Sequence, residues 1–515
     1  MTPSPRSALA RPWRSRTGLV ATFVVVGAAW RLWLSGRYGG WEESDYGNLA
    51  MVRGVLDGGF RHYDMNHMPG YYALGALALA VVGDAVVASR LVSLVGGLVA
   101  LALSVSLTDR LFGRRAAIWA GAVLVCQPEF ALYASTSLRE PVYAAFVLGT
   151  LAALLGERLV LAGCLAGAAF LVRFDAALVL GPVLAVHALG RAPRAGRALR
   201  AIAPLVAVVA LWSVYTRIDH GTFAFWSHAV AVNVETGQGG ASASTAGWWV
   251  AGLTVAGTLA TWVLPWRLGW GLWAGVALTA VSTPWGRHGG HRTVALAGAL
   301  LLGLWCGIGL TAQHEPGHNL YWKWMMPLVP VLVPLGVGGA VRALERVAGF
   351  AGPVAAGALG LLVVGQGLGS HAVETRRQVA LSAELYLPQL ALGRWIEADV
   401  PESMPLLVDN IPACWIDRRA HDRPLTSWFD VPSAPGDGAD FSRWVEDEGI
   451  GWVLWFREDW TQAPRVAPFL ADGGVWTHGE VTLVEVAKEL SYGWRLYRVE
   501  GVGEGTPPPV DPASP

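Results

Sequence analysis

The residues best suited to chemistry are three carboxylates that follow the first apolar run of the chain. They are Glu42, Glu43 and Asp45, within the sequence WEESDY at 41–46. Apolar residues at helical spacing come next, which predicts an amphipathic helix with the acids at its N-terminal end, where the helix dipole favours their ionised form. An ionised carboxylate at a membrane face can act as a general base or bind a cation. The alternative interpretation is solvated loop acids and helix caps.

Two further elements carry polar groups at the ends of apolar runs. The sequence HMPGYY, beginning at His67, breaks the chain at a Pro-Gly pair and places Tyr71 at the mouth of the next helix. Aromatic residues in that position are also typical of the interfacial belt of a membrane protein. In STSLREPVY, Arg139 and Glu140 form a charged pair at the start of another apolar run. Such a pair is either functional or an interface pair that reaches toward water.

A third element combines histidines with an isolated lysine. The sequence HEPGH at 314–318 matches H-E-x-x-H, in which both histidines bind zinc from one face of a continuous helix. The central Pro-Gly pair predicts a turn instead, which disfavours a zinc peptidase and leaves metal binding by His314 or His318 open. Lys323 is the only lysine before residue 488. At the mouth of a span it suits a phosphate, or it reaches the interface as a snorkelling side chain.

The chain that must position these groups is strongly apolar. Of its 515 residues 53% are hydrophobic and 15% are charged, and its many long apolar runs predict a multi-pass membrane protein. The net charge of zero conceals an asymmetry, because residues 1–370 hold 26 Lys and Arg against 15 Asp and Glu, whereas residues 371–515 hold 12 against 23. This difference predicts a separate acidic domain at the C-terminal end. The four cysteines indicate no disulfide framework.

Eleven apolar runs are the candidate spans: 17–35, 86–107, 116–133, 140–155, 158–172, 175–189, 198–215, 265–284, 293–312, 321–341 and 349–368. Arginine positions orient these spans, since short cytoplasmic loops collect basic residues. If the ambiguous runs 68–83 and 246–264 are interfacial or re-entrant, the arginine-rich loops share the cytoplasmic side and the chain has about 11 spans, with 12 or 13 left open. The N-terminus is then cytoplasmic and the acidic domain extracytoplasmic. The predicted organisation is a cytoplasmic segment 1–16, a multi-span domain 17–370 with outer loops 36–85, 134–139, 216–264 and 313–320, an extracytoplasmic domain 371–500, and a disordered end 501–515.

The acidic domain alternates helical and strand patterns. Helical spacing is present at 390–398 and 440–449, and strand patterns at 405–409 and 452–456, with VTLVEV and RLYRV further on. This rhythm predicts a small α/β domain. Because it contains no glycine-rich phosphate loop, we interpret it as a lid or docking module.

Taken in order, these elements resemble the GT-C superfamily of membrane glycosyltransferases, in the branch of the protein O-mannosyltransferases and lipid A aminoarabinose transferases. The family usually carries aspartate as its first catalytic acid, where this chain has Glu42. The matching elements are Glu42-Glu43 followed by Tyr46, Ala50 and Gly58; His67-Met68-Pro69-Gly70-Tyr71; the turn Leu111-Phe112-Gly113-Arg114-Arg115; Glu140-Pro141; and Tyr321 with Lys323 before a proline-rich span.

The resemblance implies an α-helical polytopic membrane fold with a small C-terminal α/β extracytoplasmic domain. It also implies an inverting enzyme of the cell membrane that moves a sugar from a polyprenyl-phosphate donor to a hydroxyl or phosphate of a protein, lipid or glycan. No nucleic-acid partner is predicted. The implied general base is Glu42, then Asp45, then Glu43, while Glu140 orients the acceptor or shares a divalent cation with the first acid.

The resemblance assigns the remaining site residues as well. The implied donor phosphate-binding residues are His67, Arg139, Lys323 and Tyr71. No certain cofactor is predicted, and a divalent cation stays open, with Glu42, Glu140, His314 and His318 as its candidate ligands.

Two other classes of protein compete with this interpretation. A transporter or lipid flippase would carry charges near mid-span and paired repeats with broken helices, whereas these carboxylates cluster at the ends of spans. A polymerase or ligase of polyprenyl-linked glycans would place several arginines in one large outer loop, and the 216–264 loop contains only Arg217.

Overall fold

The structure is a computed structural model in which part of the chain is described. The described residues fall into two compact units, those within 1–38, 51–83 and 87–379, and those within 39–50, 84–86 and 380–515. They are 15–36, 43–58, 68–190, 193–221, 223, 289–312, 326–352, 354, 369, 372–373, 375–377, 379–380, 396, 400–401, 404–408, 425–428, 431, 439–456, 463–490 and 494–501.

The first unit is built from apolar helices. Four of the described helices are long and apolar enough to cross a membrane: Arg16–Ser35, Ala85–Phe112, Arg194–Asp219 and Met326–Gly349. The chain is therefore an integral membrane protein. The helices, numbered in chain order, are α1 (Arg16–Ser35), α2 (Glu43–Gly58), α3 (Pro69–Val82), α4 (Ala85–Phe112), α5 (Arg114–Cys126), α6 (Pro128–Tyr133), α7 (Glu140–Leu155), α8 (Leu159–Val172), α9 (Ala176–Leu189), α10 (Arg194–His220), α11 (Gly289–Ala312) and α12 (Val329–Ala351).

One predicted span is interrupted. The apolar run 116–133 forms two helices, because Pro128 lacks the N–H that would continue α5 and instead starts α6. Gln127 caps the new helix by accepting a hydrogen bond from the backbone N–H of Phe130 at 2.5 Å. The runs at 246–264, 265–284 and 349–368 lie wholly or largely outside the described residues.

Small residues allow the helices to approach one another closely. A Cβ atom added to Gly163 on α8 would overlap the carbonyl oxygen of Ala201 on α10. On α4, a Cβ at Gly96 would lie 2.8 Å from the Cα and N atoms of Val142 on α7. Both contacts are with backbone, which cannot move aside as a flexible side chain can. Close approach at small residues is the usual packing mode between helices in membranes.

We expect Gly163→Ala to destabilise the protein by about 1–3 kcal/mol, because the added methyl group must push α10 away. Gly181 on α9 is the matched control, since a Cβ there meets nothing within 4 Å. Gly181→Ala should leave stability unchanged or raise it slightly, as alanine favours helices. Thermal unfolding of both purified variants in detergent measures the difference, and equal melting temperatures would contradict the packing argument.

The second unit contains a mixed sheet. Its strands are β1 (Leu406–Val408), β2 (Leu425–Ser427), β3 (Trp452–Phe456), β4 (Val475–His478), β5 (Val481–Leu490) and β6 (Trp494–Glu500). Their order is β2-β1-β3-β6-β5-β4, with β1 parallel to β2 and β3 and the other pairs antiparallel. Helix α13 (Ala439–Asp447) adds Phe441 and Val445 to the buried core, which also holds Trp428 and Trp455.

Buried indole groups in this core are satisfied by backbone carbonyls. Trp428 Nε1 donates to the carbonyl of Leu454 at 2.8 Å, and Trp455 Nε1 donates to that of Ala467 at 3.1 Å. Large aromatic side chains supply much of the apolar surface that a small domain needs to fold. The coarse fold prediction, a helical membrane protein with a small C-terminal sheet domain, is confirmed. The number of spans stays a prediction, and most of the predicted helix 390–398 lies outside the described residues.

Candidate functional site

Glu140 is a buried carboxylate at the first turn of α7. Only 1% of its surface is exposed. Pro141 follows it, in the position where a proline costs no backbone hydrogen bond and favours the start of a helix. Glu140 Oε1 accepts a hydrogen bond from Arg173 Nη1 at 3.2 Å and lies 3.9 Å from Arg139 Nε. The helix N-terminus and the two guanidinium groups together stabilise negative charge at this point.

Arg173 joins Glu140 to a second buried carboxylate, that of Asp175. Arg173 lies between the end of α8 and the start of α9, and it is 4% exposed. Its Nε and Nη2 atoms donate to Asp175 Oδ1 and Oδ2, at 3.0 and 3.4 Å. One guanidinium therefore uses three nitrogens to bridge two acids, a geometry that the planar fork of arginine permits. The connections that carry these residues lie at the same end of the helices as Glu140.

Two polar atoms in this cluster have no hydrogen-bond partner among the residues that the structure describes. They are Glu140 Oε2 and the hydroxyl of Tyr143, both buried. Tyr143 follows Glu140 by three residues, so the two side chains share one face of α7. The guanidinium carbon of Arg173 lies 5.4 Å from the centre of the Tyr143 ring. A buried polar atom without a partner is costly, and a ligand that supplies one relieves that cost.

The N-terminus of α3 is connected to the same region. The Tyr71 hydroxyl lies 3.0 Å from Ser93 Oγ on α4, and Ser93 Oγ donates to the carbonyl of Leu138 at 2.6 Å, two residues before Glu140. Close packing adds a second connection, since a Cβ at Gly70 would lie 2.7 Å from the carbonyl oxygen of Leu171, two residues before Arg173. The end of the element HMPGYY, at Gly70 and Tyr71, therefore lies close to the two segments that precede Glu140 and Arg173.

The structure describes only some of the predicted site residues. Glu140, Arg139 and Tyr71 come together in the region just described. Glu43 and Asp45 lie in the first turn of α2, with their side chains outside the described part of the structure. Also outside the described residues are Glu42, His67, His314, His318 and Lys323. The described residues contain no group of three or more His, Cys, Asp or Glu side chains that could hold a metal ion.

Arg173, Asp175 and Tyr143 belong to the site but were not predicted from the sequence. A signal for the first two was present, because the sequence VRFDA places two charges between two apolar runs. Helix α7 leads away from Glu140 and α8 returns, so the connection after α8 must lie at the end where Glu140 lies. The expected topology therefore places the charged pair Arg173 and Asp175 at the same end of the helices as Glu140.

One protein family and several solved structures are similar to this chain. Residues 66–220 match the model of the dolichyl-phosphate-mannose-protein mannosyltransferase family. This segment includes Tyr71, Glu140 and Arg173. No curated protein gives a significant match.

Solved structures show the same fold. The crystal structure of apo ArnT from Cupriavidus metallidurans is 16% identical, with a TM-score of 0.58, over 93% of this chain and 98% of ArnT. The form of ArnT bound to undecaprenyl phosphate matches equally well, over 95% and 100%. An oligosaccharyltransferase from Archaeoglobus fulgidus is 13% identical, with a TM-score of 0.51, over 85% of this chain and 67% of that protein.

The fold of the chain matches that of ArnT, and residues 66–220 resemble the dolichyl-phosphate-mannose-protein mannosyltransferase family. The predicted resemblance to the GT-C superfamily, in the branch of the protein O-mannosyltransferases and aminoarabinose transferases, is confirmed.

Proposed function

We propose that this protein is a membrane glycosyltransferase that moves a sugar from a polyprenyl-phosphate donor to an acceptor hydroxyl or phosphate on the extracytoplasmic face. The observation that carries the proposal is the buried carboxylate of Glu140. One of its oxygens is bound by Arg173, and the other has no partner in the described part of the chain. A preorganised charge in a water-poor site interacts strongly with a reacting group, because the surrounding dielectric is low.

The lipid-phosphate donor is supported by the solved relatives. ArnT has been crystallised with undecaprenyl phosphate, and the archaeal oligosaccharyltransferase AglB with a dolichol phosphate and an inhibitory peptide. A donor of this kind keeps its chain in the bilayer while its sugar enters a site at the membrane face. The position of Glu140, Arg139 and Arg173 at the end of apolar helices suits such a substrate.

With a hydroxyl acceptor, the reaction is a single displacement. The acceptor oxygen attacks the anomeric carbon and its proton passes to a carboxylate near the first span, with Glu42 the first candidate and then Asp45 and Glu43. The bond from the anomeric carbon to the phosphate oxygen breaks, and its electron pair leaves on the phosphate. That leaving group needs cationic partners more than an acid, and Arg139, Lys323 and His67 are the candidates, with Tyr71 as a further phosphate-binding candidate. One displacement inverts the anomeric centre.

Glu140 then has a role distinct from that of the base. Its free Oε2 accepts a hydrogen bond from the acceptor or from a sugar hydroxyl, and so holds the reacting atoms in line. Should the reaction need a divalent cation, Glu140 and Glu42 are candidate ligands, with His314 and His318 as further ones, since carboxylate oxygen and imidazole nitrogen are suitable donors.

The direct test is transfer by the reconstituted full chain. Labelled polyprenyl-phosphate sugars are supplied with protein, lipid and glycan acceptors, with and without a chelator, and wild type is compared with Glu42→Gln, Glu43→Gln, Asp45→Asn and Glu140→Gln. We expect transfer by wild type and a large loss in Glu140→Gln and in one of the other variants. Wild-type rates in all four variants would contradict the assigned residues. Movement of the lipid across the bilayer without transfer would favour a flippase.

A further inference from the structure

An apolar groove runs along the outside of four helices, α3, α4, α7 and α8. It encloses about 900 Å³. Its wall includes aliphatic side chains that remain well exposed, at 42–51%, among them Leu91, Val95, Val99 and Leu161. From Leu91 to Arg110 the groove follows α4 for nearly 30 Å at about 1.5 Å per residue, close to the thickness of the hydrocarbon core of a bilayer.

The groove ends at two arginines, Arg110 at the end of α4 and Arg158 at the start of α8. Both side chains are exposed. Arg110 donates to the carbonyl of Leu155 at the end of α7. Neither arginine has an ion pair within the described part of the chain, because the nearby acids, Asp109 and Glu157, pair with other residues.

The side chains of the adjacent residues Glu157 and Arg158 lie in different surroundings. The φ of +58° at Glu157 is uncommon for a residue other than glycine and costs free energy that the surroundings must offset. The Glu157 carboxylate bonds to Arg197 and lies 3.4 Å from His187 Nε2, away from the groove. The next residue, Arg158, lines the groove. The turn directs the Glu157 carboxylate away from the groove, so that no described acid forms an ion pair with the two arginines at its end.

We infer that this groove binds an anionic glycerophospholipid of the adjacent leaflet. Its acyl chains lie along α4, α7 and α8, and its phosphate contacts Arg110 and Arg158. Apolar contact covers the exposed aliphatic wall, and the phosphate supplies the charge that the two arginines lack. Basic pockets between transmembrane helices bind anionic head groups in this way. On the predicted topology the head group lies at the cytoplasmic face.

A glycerophospholipid fits this position better than the polyprenyl donor. The reacting phosphate of the donor belongs near Glu140, at the first residue of α7, whereas Arg110 contacts Leu155 at the last residue of the same helix. One phosphate cannot occupy both ends of a 16-residue helix. The lipid site is therefore separate from the proposed transfer site.

The inference is tested by lipid binding to the purified full chain in detergent, measured by native mass spectrometry. Phosphatidylglycerol is compared with phosphatidylcholine, for wild type, Arg110→Gln/Arg158→Gln and the control Arg200→Gln. Arg200 is an exposed arginine of α10 outside the groove, expected on the same face of the membrane. We expect preferential binding of phosphatidylglycerol by wild type, a loss of affinity of about ten- to thirtyfold in the double variant, and no loss in the control.

A second variant tests the apolar part of the groove. Gly149 lines it, and a Cβ there would lie 3.4 Å from Leu165 Cδ1, so Gly149→Leu should fill the groove and weaken binding without a change in charge. Thermal unfolding verifies that each variant is folded. Equal binding of both lipids, unchanged affinity in the double variant, an equal loss in Arg200→Gln, or displacement of the bound lipid by polyprenyl phosphate alone would each overturn the inference.

Discussion

Glu140→Gln is expected to lower kcat for sugar transfer by about a hundredfold or more, the range found when a positioned charged group is lost from a reaction. Glutamine keeps the shape of the side chain, and its amide oxygen can still accept a hydrogen bond from Arg173. It has no negative charge, however, and an NH₂ group replaces one carboxylate oxygen. The variant should fold, since Arg173 retains its two hydrogen bonds to Asp175.

The measurement is single-turnover transfer of a labelled sugar by the reconstituted protein, together with thermal unfolding. Glu345→Gln serves as the matched control, because Glu345 is 54% exposed and forms a surface ion pair with Arg115 at 3.5 Å. Loss of that pair should have little effect on stability or rate. If the rate of Glu140→Gln fell only in proportion to its folded fraction, Glu140 would be a structural counter-ion and its proposed role would be wrong.

The second large effect is expected at Arg173. Replacing it with glutamine leaves the carboxylates of Glu140 and Asp175 buried near each other without their shared cation. Removing one partner of a buried ion pair costs about 3–5 kcal/mol. We therefore expect a strongly lowered melting temperature and no measurable transfer by Arg173→Gln.

Arg173→Lys separates charge from geometry. A lysine keeps the positive charge, but its single ammonium cannot reproduce three nitrogens directed at two carboxylates. We expect this variant to fold and to show a kcat about tenfold or more below wild type, with a smaller change in KM, because Glu140 is no longer held in one orientation. Arg217→Lys, at an exposed arginine of α10, is the control. Wild-type kcat in Arg173→Lys would show that charge alone suffices.

Helix positions were largely predictable from the chain. The apolar run 140–155 coincides with α7, since a proline at its start and a glycine after its end mark both limits. The strand predicted at 452–456 coincides with β3. The run 116–133 was predicted less well, because hydropathy does not register the backbone N–H that Pro128 lacks. These features are local, so a single sequence contains most of the information needed to place them.

Part of the candidate site was predictable from the sequence, and the rest was not. From the sequence alone it follows that the chain needs a membrane, that Arg139 and Glu140 start an apolar helix, and that these elements occur in the order typical of GT-C proteins. The tertiary structure was needed to show that Arg173 and Asp175 complete the charge cluster and that Tyr71 is connected through Ser93 to the segment before Glu140. Arg173 lies 33 residues from Glu140, and the hydrogen bond between them depends on how α7, α8 and α9 pack. Packing between helices is set by small residues and close contacts in three dimensions, which hydropathy and spacing along one chain do not encode.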